Sequence, residues 1–216
     1  MIIRIDDFPT GISTVPGDLS DYFRIFDCFE RHNIQYYLGI VPELLRRFVN
    51  SDDIERLTRY KCMVPVMHGY DHLFDRMNRI LIANNDPENT RGLVSGTWFE
   101  FETRNQQWVN DHLTQGREYL ENVFNRIIVH YIPVCNRIDE KLITGLINSG
   151  FVYVFTIEGN RRQVQRMDTI TTEYYGQLED MSRRYESLCL HITWEVQTIK
   201  RIGFAAWKRQ FHKMIV

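Results

Sequence analysis

Ile2, Ile3 and Ile5 open the chain as a short apolar run that stops at Asp6-Asp7 and Phe8-Pro9, a pattern that predicts a buried strand running into a turn. Residues 10–17 read as a loop containing Gly and Pro. Asp18, with Asp21 three residues on, has the form of a capping box, and Tyr22, Phe23, Phe26 and Phe29 then recur at helical spacing to about His32. Residues 35–41 are almost continuously apolar and end at Pro42, which predicts a strand buried on both faces. A second helix is expected from Ser51-Asp52-Asp53, whose acids suit the positive end of its dipole. Residues 62–67 form the third strand. Residues 73–101 have no regular period and carry Pro87, Gly92 and Gly96, as a lid, a binding loop or a locally disordered segment would. Trp108, Val109, Leu113, Leu120, Val123 and Phe124 mark a long amphipathic helix over residues 103–124. It is followed by a strand over 127–132. Asp139 caps a helix bearing Leu142, Ile143, Leu146 and Ile147 that stops at Gly150. A strand follows over 151–157. Residues 161–186 are ambiguous apart from a short strand near Ile170, residues 188–195 read as a late strand, and Phe204, Trp207, Phe211, Met214 and Ile215 stripe a closing helix.

Strands alternating with helices point to an α/β fold with a parallel sheet, and the pattern alone admits an open sheet or a barrel. No repeat, low-complexity stretch or linker divides residues 1–216, so one domain is expected. A hydrophobic content of 44% excludes a disordered chain, and a net charge of −2 with no dense basic run argues against a nucleic-acid partner. Cys28, Cys62, Cys135 and Cys189 are scattered, as buried thiols of a reducing compartment are. No apolar run is long enough to span a bilayer and no secretory leader opens the chain, so a cytoplasmic location is expected.

The polar residues that carry chemistry gather where predicted strands end: Asp6-Asp7, His68 to His72, Asn136-Arg137 and His191. In parallel α/β folds that edge is where active sites assemble. Adjacent residues of a strand face opposite ways, so Asp6 and Asp7 can share a cleft only at the strand's end. His68 and His72 stand four apart, which on a helical turn puts both imidazoles on one face. With a distant carboxylate they suit a zinc-type site that keeps a position open for water. His32, His112, His130 and His212 read as packed or hydrogen-bonded histidines, His130 the least securely because it lies close to a strand end.

Arg4-Ile-Asp-Asp-Phe-Pro9, His68-Gly-Tyr-Asp-His72, Tyr131-Ile-Pro-Val-Cys-Asn-Arg137 and Leu188-Cys-Leu-His191 together resemble, in order and content, the metal-dependent polysaccharide deacetylases of carbohydrate esterase family 4. The resemblance runs from residue 2 to about residue 195. It implies a distorted (β/α) barrel of about seven parallel strands and hydrolysis of the acetamide of an N-acetylated sugar with a divalent metal, most commonly zinc. By motif position Asp6 would be the general base, His191 the general acid, and Asp7, His68 and His72 the metal ligands.

Two departures stand out. Many members of that family have Arg-Pro-Pro where this chain has Ile132-Pro133-Val134, so the arginine that orients the catalytic aspartate is missing at its usual place; Arg137 and Arg4 are the candidates to replace it. The acidic motif that orients the general acid is not recognisable, which leaves Glu158 or Asp168 for that role. Glu100, between aromatics in Trp98-Phe-Glu-Phe101, is a candidate substrate contact, as are Asn136 and Arg137. The resemblance therefore implies a deacetylase of an N-acetylated sugar, and the expected cytoplasmic location points to a surface glycan of O-antigen type or its precursor. The alternatives are a small-molecule amidase of ureide or imide type on the same fold, and a non-catalytic glycan-binding relative.

Overall fold

The computed structural model describes residues 1–9, 19–71, 101, 104–157, 164–181, 183 and 185–215. The strands β1 (Ile2–Phe8), β2 (Tyr36–Ile40), β3 (Met63–His68), β4 (His130–Ile132), β5 (Tyr153–Ile157), β6 (Asp168–Thr172), β7 (Tyr174–Gly176) and β8 (Ser187–His191) form one sheet in the order β6-β5-β4-β3-β2-β1-β8-β7. Every pairing is parallel. Only Glu173 separates β6 from β7. The same length of chain therefore pairs with β5 on entering and with β8 on leaving, which closes the sheet on itself. The Glu173 N–H donates to the carbonyl of Ser187 at 3.2 Å and to its hydroxyl at 3.0 Å, and that hydroxyl donates to the Thr171 carbonyl at 2.7 Å. Counted with β6–β7 as one bent strand, the barrel has the expected seven.

Side chains in a barrel wall alternate between the inside and the helix layer, and the buried residues sort that way. Ile3, Ile5, Leu38, Ile40, Met67, Tyr131, Val154, Leu188 and Leu190 belong to the large outer core. They pack there with helix residues such as Phe26, Leu113, Leu142 and Trp207. Val66, Ile132 and Phe155, with Tyr37, Val64 and Ile170 against them, fill the inside. The helices that supply the outer layer are α1 (Ser20–Arg31), α2 (Pro42–Phe48), α3 (Ser51–Thr58), α4 (Gln106–Phe124), α5 (Glu140–Asn148), α6 (Ile192–Ile202) and α7 (Phe204–Ile215). Among the described residues no helix is long and apolar enough to cross a membrane.

Local chemistry explains most boundaries. Asn50, Asn105 and Asp139 each accept the N–H three residues on, at 2.9, 2.8 and 2.7 Å, and so start α3, α4 and α5. Gly150, at φ +77°, follows α5 in the left-handed conformation expected of it. Two elements differ from the sequence reading. Pro42 starts α2, because a proline at the first helical position gives up only an N–H that would have had no partner in the helix. Residues 188–195 are not one strand: β8 ends at His191, and Ile192, Val196 and Ile199 already bury the inner face of α6.

Candidate active site

β1 pairs with β2 as Arg4 with Tyr37 and Ile5 with Leu38, then Phe8 with Ile40, so β1 carries one residue more than β2 at Asp6-Asp7. This is a bulge. Its residue Asp7 has φ +69°, a conformation Asp tolerates better than most side chains. Ile3 and Ile5 face the helices and Arg4 faces inward. Strict alternation would send Phe8 inward too. The extra residue instead returns Phe8 to the helix layer, where its ring meets Tyr22 at 5.9 Å and Phe26 at 5.7 Å. The bulge also frees Asp7 from the outer face, so two consecutive carboxylates work at one end of the barrel.

Asp6 is buried and held from several sides. Arg4 Nε donates to Asp6 Oδ1 at 2.7 Å, and Arg4 Nη2 donates to Oδ2 in a close second bond, a bidentate fork. The third arm, Nη1, donates to Asn136 Oδ1 at 3.0 Å, and the guanidinium lies 5.7 Å from the centre of the Phe155 ring inside the barrel. Cys189, which pairs with Arg4 across β8, donates its thiol to Asp6 Oδ2 at 3.3 Å. Burial works to raise the Asp6 carboxyl, but the Arg4 charge and hydrogen bonds, with His68 and His191 nearby, hold it below its ordinary value. Burial pushes the Cys189 thiol well up, so it remains a proton donor.

Asp7 sits at the mouth, with its side chain 15% exposed against 2% for that of Asp6. Its Oδ1 lies 2.9 Å from His68 Nε2, and its Oδ2 lies 3.5 Å from His191 Nε2. The other nitrogen of His68, Nδ1, is 3.0 Å from the carbonyl of Ile132, the residue beside it in register on β4. A carbonyl only accepts, so Nδ1 carries the proton, and a neutral His68 turns the lone pair of Nε2 toward a carboxylate oxygen. Two acceptors at that distance call for a proton or a cation. A histidine whose far nitrogen is fixed by a carbonyl, beside a carboxylate, is also how many metal ligands are oriented. Among the described residues no group of three or more His, Cys, Asp or Glu side chains forms a cation site. His72 lies outside the described residues, so Asp7 and His68 are the part of the expected ligand set that the structure brings together.

His191 ends β8 directly beside Asp6 in register, and its ring stacks on Trp194 at 4.2 Å, one helical turn into α6. The turn after β4 places Cys135 and Asn136 at φ +50° and +52°, which brings Asn136 back over the barrel mouth to Arg4. Gly69, at φ +63°, turns the chain straight after β3, and the carbonyl of Tyr70 accepts the Glu43 N–H of α2 at 3.1 Å.

The structure thus joins Asp6, Asp7, His68 and His191 at the carboxyl ends of β1, β3 and β8. Asn136, read as a substrate contact, is buried against Arg4, where its amide oxygen accepts from that guanidinium. Arg137 is exposed, and Arg4 holds Asp6 in its place. Asp168 is exposed where β6 begins, in register with the first residue of β5 and so at the opposite end of the barrel; it cannot orient His191. Glu100 and Glu158 lie outside the described residues. His130 begins β4 and stacks on Tyr153 at 4.8 Å near Tyr37, away from the site, as its plain reading required. His112 stacks on Trp108 at 3.6 Å, and His32 meets His212 at 4.8 Å. Arg4 was visible as a candidate. Trp194 was missed, because residues 188–195 read as a strand, and a strand residue three positions from His191 would face away from it.

No family model matches the sequence, and no curated protein matches it. Solved structures do resemble it. A family 4 carbohydrate esterase from Bacillus anthracis superposes with a TM-score of 0.54 at 10% identity, covering 98% of this chain and 75% of that one. A family 4 acetyl xylan esterase from Clostridium thermocellum, in complex with a cobalt ion, gives 0.52 at 10% identity, covering 97% and 85%. A family 4 pseudoenzyme from Bacillus anthracis gives 0.51 at 9% identity, covering 97% of this chain and 61% of that one. At these identities the likeness is one of fold, and the barrel is the fold of the family 4 carbohydrate esterases.

Proposed function

We propose that this chain is a divergent, metal-dependent carbohydrate deacetylase that releases acetate from an N-acetylated sugar of a surface glycan, of O-antigen type, or of its precursor. The observation that carries this reading is the division of labour around Asp6 and Asp7. One carboxylate is buried and clamped by an arginine; its neighbour is turned out to face two histidines. That all four cysteines are free thiols suits work in a reducing compartment.

Asp7 and His68, completed by His72, would hold a divalent cation, and a carboxylate with two imidazoles suits Zn2+. When bound, such a cation supplies Lewis acidity toward the acetamide carbonyl. The chain's own groups do the proton work. Asp6 takes a proton from the attacking water as the C–O bond forms, and His191 gives one to the amine nitrogen as the C–N bond breaks, so acetate and a free amino sugar leave. Trp194 holds the His191 ring at its stacking angle and covers one face of it.

The test is a product screen on purified protein. Acetate release from acetamido sugars that stops on chelation and returns with Zn2+ supports the proposal. Cleavage of ureides or imides without acetate would favour the amidase, and metal-free protein with no turnover would favour a glycan-binding relative.

A further inference from the structure

We propose that Arg4 is the positioning residue for Asp6, carried on the same strand two residues upstream, and that it replaces an arginine that would otherwise reach Asp6 from position 132. The proton-transfer part of this role presupposes the deacetylase reading.

The geometry is specific in a way that charge neutralisation alone does not require. Both Asp6 oxygens are engaged by one guanidinium face, which fixes the plane of the carboxylate as well as its place. The guanidinium is itself immobilised: it is 1% exposed, Asn136 takes its third arm and Phe155 lies against it. A buried ion pair is a poor source of stability, since desolvating two charges cancels most of their attraction and an apolar pair of the same volume does as well. What this pair adds is an orientation, next to the residues that carry the site's chemistry.

Position 132 explains the relocation. Ile132 faces the barrel interior with Val66 and Phe155. Its side chain leans across β3 toward β2: a Cβ added to Gly39 would lie 3.0 Å from Ile132 Cδ1, 3.2 Å from the Ile5 carbonyl and 3.3 Å from the His68 Cβ. A longer side chain at 132, extended the same way, runs over Gly39 to β1 and Asp6. Arg4 already occupies that interior against Phe155. Two arginines there would place two like charges in one apolar space, so the two solutions exclude each other.

The experiment compares Arg4→Lys, Arg4→Met, Asn136→Ala and the double variant Arg4→Met/Ile132→Arg in metal-loaded protein. Arg4→Lys keeps the charge and loses the fork; kcat should fall about 100-fold with KM and bound metal unchanged, the scale of a reacting group displaced by about 1 Å. Asn136→Ala should lower kcat about tenfold through the same clamp, with KM and bound metal unchanged. Moving the arginine to 132 should return at least tenfold of the activity lost in Arg4→Met. Arg4→Lys at near wild-type kcat overturns the proposal. So does a folded, metal-loaded double variant no more active than Arg4→Met. If Arg4→Met does not fold, the Lys and Asn136→Ala variants decide. The Arg4 Nε–H resonance gives a reading independent of turnover. Slow exchange with water supports the clamp, and rapid exchange in the wild type removes it. Slow exchange with no acetate released from any acetamido sugar removes the deacetylase reading, and the proton-transfer role with it, while leaving the clamp.

Discussion

Asp6 and Asp7 are adjacent in sequence, yet one is sealed beneath an arginine fork and the other reaches the mouth of the barrel beside two imidazoles. Removing each charge should therefore have a different consequence. On the proposed function, Asp6→Asn should abolish acetate release and leave metal binding intact, and Asp7→Asn should lose both; metal analysis beside the turnover assay separates them, and equal metal loss in the two variants would refute the assignment. At this scale the sequence was a partial guide. Asp6, Asp7, His68 and His191 were legible because each stands where an apolar run stops. The facing of Arg4 was not. Ile2, Ile3 and Ile5 surround it with apolar residues on both sides, so no alternation shows which face is inward until the helix layer claims Ile3 and Ile5. For Asn136 the obstacle was different. Its side chain is directed by two successive left-handed residues, and although Asn often takes that conformation, Cys135 before it gives no such signal.

Elements were most legible where a cap or a breaker speaks locally. The helix after Asp139 and its stop at Gly150 follow from side chains within a few residues. The junction of β8 with α6 does not, because Leu-Cys-Leu-His-Ile-Thr-Trp is equally apolar on both sides of the change. What turns the chain into a helix at Ile192 is burial against the rest of the barrel. Packing between elements also sets limits that composition hides. Gly145 of α5 lies so close to α4 that an added Cβ would stand 2.8 Å from Val109 Cγ1 and 2.9 Å from Leu113 Cδ1. Gly145→Ala should destabilise the fold by about 1–2 kcal/mol, the overpacking cost exceeding the helix-propensity gain of about 1 kcal/mol, as a shift in the urea midpoint would record.

For the whole molecule, sequence pattern left open sheet and barrel as equals, because closure depends on contacts between distant segments: Glu173 and Thr171 meet Ser187 only once the sheet has curled. Another long-range contact has a measurable signature. Glu195 on α6 is buried, accepting the Leu178 N–H at 2.9 Å and the Trp207 indole N–H at 2.5 Å. Burial outweighs these bonds and raises its carboxyl from 4.5 to about 7. Between those values the folded protein keeps a proton that the unfolded chain releases. Stability from this group is therefore complete below pH 4.5, falls as pH rises toward 7, and is level above. The fall amounts to about 3 kcal/mol. Denaturant titrations at pH 5 and pH 7.5 should show it in the wild type and not in Glu195→Gln.

The extra residue in β1 also bears on how such a site is gained or lost. Removing the Asp7 codon would leave Ile5, Asp6 and Phe8 in unbroken register with Leu38, Gly39 and Ile40, with Phe8 still directed at Tyr22 and Phe26. The shortened chain should fold with a melting temperature equal to or above that of the parent, since it sheds a left-handed aspartate and an interrupted ladder, and it should bind no metal. On the proposed function, a single in-frame deletion would turn this design into a stable, inert barrel, with no intermediate that selection on folding would reject.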